Sequence, residues 1–303
     1  MNTAQKIVIA SGIIGILFII GILAYVLISM SLPGLSTGGV VAVVPLKGYI
    51  AGECSSYDGC TDPAKFKEMM KIAESDEYIK VIIIKVDSGG GEVVASRDLM
   101  KIVKNAKKQK RVIAYVNDIG ASGAYYVASA SDKIVANEFA FVGSIGVKSE
   151  IVHYKGLLDK LGINITVVMK PDNKDFGSPY RENLTDDETK LMEDIIGKIY
   201  DAFVSDVAEN RNLSKERVKE ISEGQSIYLG KDAKENGLVD YVGDMDDAIE
   251  IAARESGIKG NVVVRYIDTG QESIFDRMAM KVGYGFAKGL VEVEGSQQKI
   301  VAE

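Results

Sequence analysis

From Ile7 to Met30 the chain carries no charge and is almost wholly apolar, and the first charge after Lys6 is Lys47. A helix of this length crosses a hydrocarbon layer of about 30 Å. A cleaved leader has a shorter apolar stretch of about 7–15 residues. The pattern therefore predicts an N-terminal transmembrane helix within residues 1–30, followed by a turn-rich linker, "SLPGLSTGG", over 31–39. Beyond the linker the pattern changes character. "GVVAVVPL" reads as a strand, residues 63–75 as a helix, and "VIIIKV" (81–86) as a strand buried on both faces. "SGGGEVVASRDLMKIVKNAKK" is a glycine turn opening a helix with apolar residues at helical spacing. "RVIAYVND" is the next strand, "GASGAYYVASAS" the next helix, and "DKIVAN" and "NITVVMK" are further strands.

Strand, turn and helix alternate in this way over the first two-thirds of the chain. That order implies an α/β fold with a largely parallel sheet and crossover helices. A second region is mostly helical. Thr185 and Glu188 have capping-box spacing and predict a long helix to about residue 209. Ser214 caps a short helix, and Gly237 ends the one in "YLGKDAKENGLVD". Residues around 190–250 are expected to pack against neighbouring subunits. A last apolar stripe runs through Ile274, Met278, Val282, Phe286 and Leu290, with glycines that weaken it as a free helix. The expected division is an anchor over 1–30, a linker over 31–39, a catalytic domain over 40–260 and a tail over 261–303.

Composition narrows the function. The chain has 303 residues, is 47% hydrophobic and carries a net charge of −7, which argues against a non-specific nucleic-acid binder. Lys6 and the α-amino group flank the N-terminal side of the apolar run, and no Lys or Arg follows closely. The positive-inside rule then puts the N-terminus in the cytoplasm and the domain outside the cell membrane. Both cysteines, Cys54 and Cys60, fall in "AGECSSYDGC". Outside the cytoplasm they form either a disulfide or two free thiols. A metal site needs further ligands nearby, and none are present.

Three clusters carry candidate chemistry. "VDSGGGEVVAS" follows a buried strand, and such a turn brings backbone N–H groups close to a ligand or simply reverses the chain. It lacks the Lys-Ser/Thr of a phosphate loop. Ser122, in "NDIGASGAYYVASA", stands at a helix start, either as a plain N-cap or where orphan N–H groups stabilise an alkoxide. "KPDNKDFGSPYRE" (170–182) is a turn-rich loop holding Lys174. A lysine serves as general base only when its pKa falls from about 10.4 to about 7–8, a shift that burial supplies. His153, the single histidine, has no triad spacing to Ser122.

Together these clusters resemble the signal peptide peptidase A family in its small, membrane-anchored form, over about residues 40–250. The motifs are the glycine turn at 86–91, "ASGAYYVASASDKIVAN", "VGSIGV", "NKDFGSPYRE" and "YLGKDAKENGLVD". The resemblance implies a Clp/crotonase-like fold and a serine–lysine dyad. It implies Ser122 as nucleophile, Lys174 as base in a dry pocket, and Ser144 as the group orienting the lysine. It implies an oxyanion hole from the N–H groups of Gly123 and a turn glycine, Gly91 by register with Gly90 close behind. His153 is then dispensable. One departure stands out: Gly89 occupies the place of the family's proline. Peptide substrates such as signal-peptide remnants, no cofactor, and a ring of eight chains are the further implications. Two other functions share the fold: a stomatin-partner protease cutting an apolar segment of a membrane protein, and an acyl-CoA-handling crotonase-type enzyme.

Overall fold

The computed structural model describes residues 38–54 and 59–267, together with Ile19 and Ile20, which are helical. The rest of the Ile7–Met30 run, and the stripe from Ile274 to Leu290, lie outside the described residues. Among the described residues no helix is long and apolar enough to cross a membrane.

Nine strands form one mixed sheet. They are β1 (Gly39–Ile50), β2 (Cys60–Thr61), β3 (Ile79–Gly91), β4 (Arg111–Ala121), β5 (Lys133–Ala136), β6 (Phe141–Gly143), β7 (Ile227–Leu229), β8 (Tyr241–Val242) and β9 (Val262–Tyr266). The helices are α1 (Pro63–Ser75), α2 (Val93–Ala106), α3 (Gly123–Ser129), α4 (Lys155–Lys160), α5 (Asp186–Arg211), α6 (Lys215–Gly224), α7 (Gly230–Glu235) and α8 (Met245–Glu255). The main path runs β2-β1-β3-β4-β5-β8, and every pair on it is parallel.

The continuous apolar runs of β1, β3 and β4 follow from burial on both faces. Ala42, Val44, Ile82, Ile84 and Val112 face one core, with α1 to α3 and α5 upon it. Val41, Val43, Ile83, Ile113 and Tyr115 face a second core closed by Ala248, Ile251 and Ala252 of α8. Strand β9, placed in the tail by the sequence pattern, lies parallel to β1 and so extends the domain to Tyr266.

The three central strands are irregular at one level. Register shifts fall between Lys47 and Tyr49 on β1 and between Val86 and Ser88 on β3. Beyond that level the outer strands change partners. β1 pairs with β9 over residues 39–43 but with β2 at Tyr49 and Ile50. β4 pairs with β5 over residues 113–116 but with β6 over residues 119–121. Such irregularities bend a strand and increase its local twist. They separate a regular parallel layer from a short second layer holding the glycine turn, the end of β4 and β6. Near this second layer, Cys54 and Cys60 are joined by a disulfide, with Cα atoms 6.0 Å apart.

The long helix starts where its cap predicts. Thr185 Oγ1 accepts from Glu188 N at 3.2 Å, and Thr185 N donates to Glu188 Oε2 at 2.8 Å. Ser214 caps α6 through Arg217 N at 3.1 Å, and Gly237 takes a φ of +80° beyond α7. One face of the long helix packs inward, with Phe203, Val204 and Val207 buried in their own chain's core, while Leu191 and Ile195 on the same helix are exposed.

"NITVVMK" is not a strand. A strand needs a neighbour for its N–H and C=O groups, and residues 164–170 run through an arm, 146–183, that projects from the sheet. Val168 is 93% exposed and Leu161 is 62% exposed.

Candidate active site

The local geometry starts at the glycine turn. Ser88 is 1% exposed, and its hydroxyl donates to Gly48 O at 2.5 Å and accepts from Gly90 N at 3.1 Å. That bond commits the Gly90 N–H inside the turn. Glu92 N donates to Ile50 O at 2.8 Å, and Ile50 pairs with Gly91. In a parallel ladder the bonds of one residue run to the two residues flanking its partner, and successive N–H groups alternate in direction. Gly91 N therefore points away from β1, toward α3. A Cβ built on Gly123 would lie 3.4 Å from that nitrogen.

The second piece is the β4–α3 junction. Ser122 has φ 51° and ψ −124°, outside the left-handed well that non-glycine residues visit. Strain of this kind costs about 1–3 kcal/mol and persists only where the surroundings over-determine it. Here they do. Ser122 N donates to Gly143 O at 2.8 Å, and Tyr126 N donates to Ser122 O at 2.9 Å. Every residue of α3 is buried. Tyr125 is anchored by its hydroxyl to Leu238 O at 2.9 Å, and the Tyr126 and Phe203 rings lie 4.5 Å apart. Burial pushes the Tyr125 phenol up. Tyr126 rises for the same first cause, reinforced by its hydrogen bond to Asp206.

Ser122 holds the N-cap position, yet its side chain makes no cap hydrogen bond. The plain N-cap reading therefore fails, and the hydroxyl is half-exposed and uncommitted. Gly123 is the first residue of α3, so its N–H is an orphan of helix geometry. Gly90 explains why that N–H stays open. Its φ is +94°, and a Cβ there would lie 2.6 Å from Gly123 N and 2.9 Å from Ser122 Cβ. Any side chain at Gly90 would cover the nitrogen and push the serine. Ser144 follows Gly143, the acceptor for Ser122 N, and has φ 52°. One cluster thus gathers Ser122, Gly123, Gly90, Gly91 and Ser144.

The matched family model covers residues 104–259 and carries the description peptidase family S49. The chain belongs to peptidase family S49. A Methanocaldococcus jannaschii protein that carries the name of a protease is 36% identical over 98% of this chain and 97% of its own length. The chloroplastic serine protease SPPA of Arabidopsis thaliana is 31% identical over 68% of the chain, which spans 30% of that larger protein. Protease 4 of Haemophilus influenzae is 31% identical over 70% of the chain and 34% of its own length. Among solved structures, the 1510-N membrane-bound stomatin-specific protease bound to a substrate peptide covers 81% of this chain and 98% of its own, with a TM-score of 0.51 at 18% identity. That likeness shows the fold, α/β with a mostly parallel sheet, of the Clp-protease-like class. As an S49 member the chain is a serine endopeptidase.

The S49 match spans Lys174 as well as Ser122 and Ser144, but among the described residues no hydrogen bond joins the Lys174 side chain to the serine cluster. The sequence reading puts Lys174 in a dry pocket. In the isolated chain it is exposed, and its ammonium has no hydrogen bond or ion pair among the described residues. The reason is local: the arm carrying it lies outside both cores and is tied to itself and to the start of α5. Tyr154 N donates to Pro179 O at 2.6 Å, and Arg181 reaches Glu188 and the Asp175 carbonyl. His153 is half-buried in the same arm, with no partner for Nδ1 among the described residues.

Two residues that touch this cluster escaped sequence reasoning: Ser88, bonded to Gly90 N, and Ser96, whose Oγ a Cβ on Gly123 would meet at 2.1 Å. Ser88 carried a weak signal as the hydroxyl residue before three glycines. Ser96 carried none, since it reads as one more position on an amphipathic helix.

Proposed function

We propose that this S49 peptidase is membrane-anchored through residues 1–30 and works outside the cytoplasm. Ser122 and Lys174 act as a dyad on signal-peptide remnants and other apolar peptides. The observation that carries the reading is the Ser122 backbone: a strained serine, free of any cap bond, with an orphan N–H beside it and a glycine kept bare above it. In the reaction Lys174, neutral, takes the Ser122 proton as Oγ attacks the peptide carbonyl. The N–H groups of Gly91 and Gly123 receive the oxyanion, where one such donor contributes about 3–4 kcal/mol. Lys174 then protonates the leaving amine. Water, activated by the same base, releases the acyl group. Ser144 orients the lysine.

An ammonium in water stays charged, so the base has to be made by covering it. Copies of this chain supply that cover in a homo-oligomeric ring. Supporting this, the arm beside Lys174 presents Val152, Leu157, Leu161 and Val168 to solvent in the single chain, and clustered exposed apolar side chains mark interaction surfaces.

The test is a pH–rate profile with labelling. A serine-directed phosphonate is expected to modify Ser122. Lys174→Ala is expected to lower kcat by about 10²–10⁴-fold with an unchanged melting temperature, and His153→Ala to leave kcat within about twofold of wild type, well below a general-base effect. Full activity in the lysine variant would sink the dyad. The likeness to a stomatin-specific protease favours a second reading, cleavage of one apolar segment in a partner membrane protein. A peptide library separates the two by narrow or broad preference.

A further inference from the structure

Ser96 lies in the first turns of α2, with its N–H donating to Glu92 O at 2.9 Å. It is 2% exposed, and its Oγ is buried with no hydrogen-bond partner among the described residues. A serine inside a helix ordinarily returns its hydroxyl to the carbonyl four residues back. This one does not. Its Oγ is turned instead to the catalytic backbone: a Cβ on Gly123 would lie 2.1 Å from Ser96 Oγ and 2.9 Å from Ser96 Cβ, with Gly91 N at 3.4 Å. Ser96 thus occupies the notch between the two glycines whose N–H groups form the proposed oxyanion hole.

The turn that carries Ser96 follows the glycine turn directly in the chain and is bonded to the end of β1. Glu92 N donates to Ile50 O at 2.8 Å, and Glu92 Oε2 accepts from Gly52 N at 2.9 Å. A displacement of α2 is therefore transmitted to Gly91 through the backbone and to Gly123 through the Ser96 side chain.

We infer that Ser96 is a positioning residue for the oxyanion hole, a wedge that sets the spacing of the Gly91 and Gly123 N–H groups. This rests on the assignment of Ser122 and the hole made above. A buried hydroxyl without a partner lowers stability, and alanine at the position would relieve that cost. A residue kept only for packing would be better as alanine. A wedge would not, because the hole loosens when the oxygen is removed, and a misplacement of about 1 Å at a reacting centre can cost about 100-fold in rate.

The experiment uses the full chain with Ser96→Ala and Ser96→Cys, the latter retaining a polarisable atom of similar reach. Melting temperature, kcat and KM on an apolar peptide, the pH–rate profile, and the rate of Ser122 modification by a fluorophosphonate are compared with wild type. The phosphonate adduct places an oxygen in the hole; Lys174 still takes the Ser122 proton, but fluoride leaves without the protonation a leaving amine needs, so a lowered formation rate with unshifted pH limbs reports hole geometry. Ser96→Ala is expected to melt at or above the wild-type temperature. Its kcat and modification rate should both fall roughly tenfold, within the range for such misplacement, at unchanged KM and with unshifted pH limbs. Ser96→Cys should recover most of the loss. Wild-type kcat and modification rate in Ser96→Ala would overturn the inference and leave the nucleophile intact. If Ser96→Ala does not fold, Ser96→Cys decides: wild-type stability with a reduced modification rate supports the wedge, and reduced stability with a normal rate overturns it. Wild-type enzyme that is not modified at Ser122 overturns the reading of the site, and this inference with it.

Discussion

Ser122 and Lys174 sit in parts of the molecule built on opposite plans. The serine stands where two buried layers meet, its backbone bonded to Gly143 and Tyr126 and its neighbours Gly90, Gly91 and Gly123 each lacking room for a side chain. The lysine stands on an arm with few buried residues, Ser178 among them, closed by turns and one cluster of charges. The first half is complete in one chain. The second is not, and its unpaired apolar surface is what a second chain would cover. The contrast separates two requirements of a serine–lysine site. A nucleophile and its oxyanion donors need fixed backbone, which a single core provides. In the proposed dyad a neutral lysine needs water removed, and the proposed assembly would provide that late, so the free subunit is expected not to hydrolyse peptides.

The largest effect should come from breaking the fixed half. Gly90→Ala puts a methyl 2.6 Å from Gly123 N in a backbone with φ +94°. It blocks a hole donor and displaces Ser122 together. We expect kcat to fall by about 10³-fold or more, at or beyond the upper end of the roughly 10²–10³-fold loss for one donor alone, with the secondary structure retained by circular dichroism. An active Gly90→Ala enzyme would mean that the Gly123 N–H has no part in the reaction.

The next effect comes from the exposed half. Val168→Asp changes a side chain that is 93% exposed and touches neither core. In the free subunit its effect on stability should stay within about 0.5 kcal/mol, as for ordinary surface changes. In the assembled enzyme it places a charge in an apolar contact. Sedimentation should show a shift to smaller species, and activity should fall in proportion to the assembly lost. A Val168→Asp protein that assembles and cleaves normally would detach the arm from the contact.

How much of this was legible in the sequence follows the same division. The runs "VIIIKV" and "RVIAYVND" announced buried strands because both faces of each strand are covered, leaving no polar alternation to confuse the pattern. Thr185, Ser214 and Gly237 announced helix ends because capping is chemistry within one turn. The run "NITVVMK" misled for the converse reason. Its β-branched residues favour extended chain, but no other strand of the same chain runs beside it. The three-residue strands β6 and β7 were too short to show a period, although β6 supplies the carbonyl that holds Ser122. The choice between Gly90 and Gly91 depends on which way an N–H points; the hydrogen bond to Ser88 commits the Gly90 N–H and that of Glu92 turns the Gly91 N–H away from β1, which is why Gly91 is proposed for the hole. Lys174 is proposed through resemblance alone, since an exposed loop lysine carries no local signal of a catalytic role.

A smaller effect tests how the arm is held. Glu188 accepts from Arg181, Thr185 and Gly177, and the Arg181 bond first, then the Thr185 N–H, bring its carboxyl down to about 2. Its folded value lies below the unfolded one. The interaction is therefore fully present above the ordinary carboxylate range and is lost as pH falls from there through about 2. Protection from hydrogen exchange over residues 175–188, corrected for the intrinsic rate at each pH, should fall between about pH 5 and about pH 2.5, in the range about and below an ordinary carboxylate pKa, before that of α3 and the central strands. Glu188→Gln should show the fast exchange already at neutral pH. Equal acid sensitivity in the arm and the core would mean that the two halves do not open separately.

The smallest effect lies within the glycine turn itself and sharpens the contrast to a single residue step. Gly89 and Gly90 are adjacent, but only one of them is held to glycine by its surroundings. Gly89 is exposed, has no positive φ, and a Cβ there would meet nothing nearer than Ile119 Cδ1 at 3.7 Å. Its neighbour's Cβ would strike the nucleophile. Gly89 thus contributes chain freedom that the folded turn does not use. Gly89→Ala removes that freedom from the unfolded chain and should raise stability by about 0.4–1 kcal/mol, read as a higher denaturant midpoint with an unchanged slope. Since Ser88 and Gly90 keep their bond in this variant, kcat should match wild type. If Gly89→Ala instead slows catalysis without loss of stability, the turn has to flex at residue 89 during the reaction, and the fixed half of the site is less rigid than its hydrogen bonds make it.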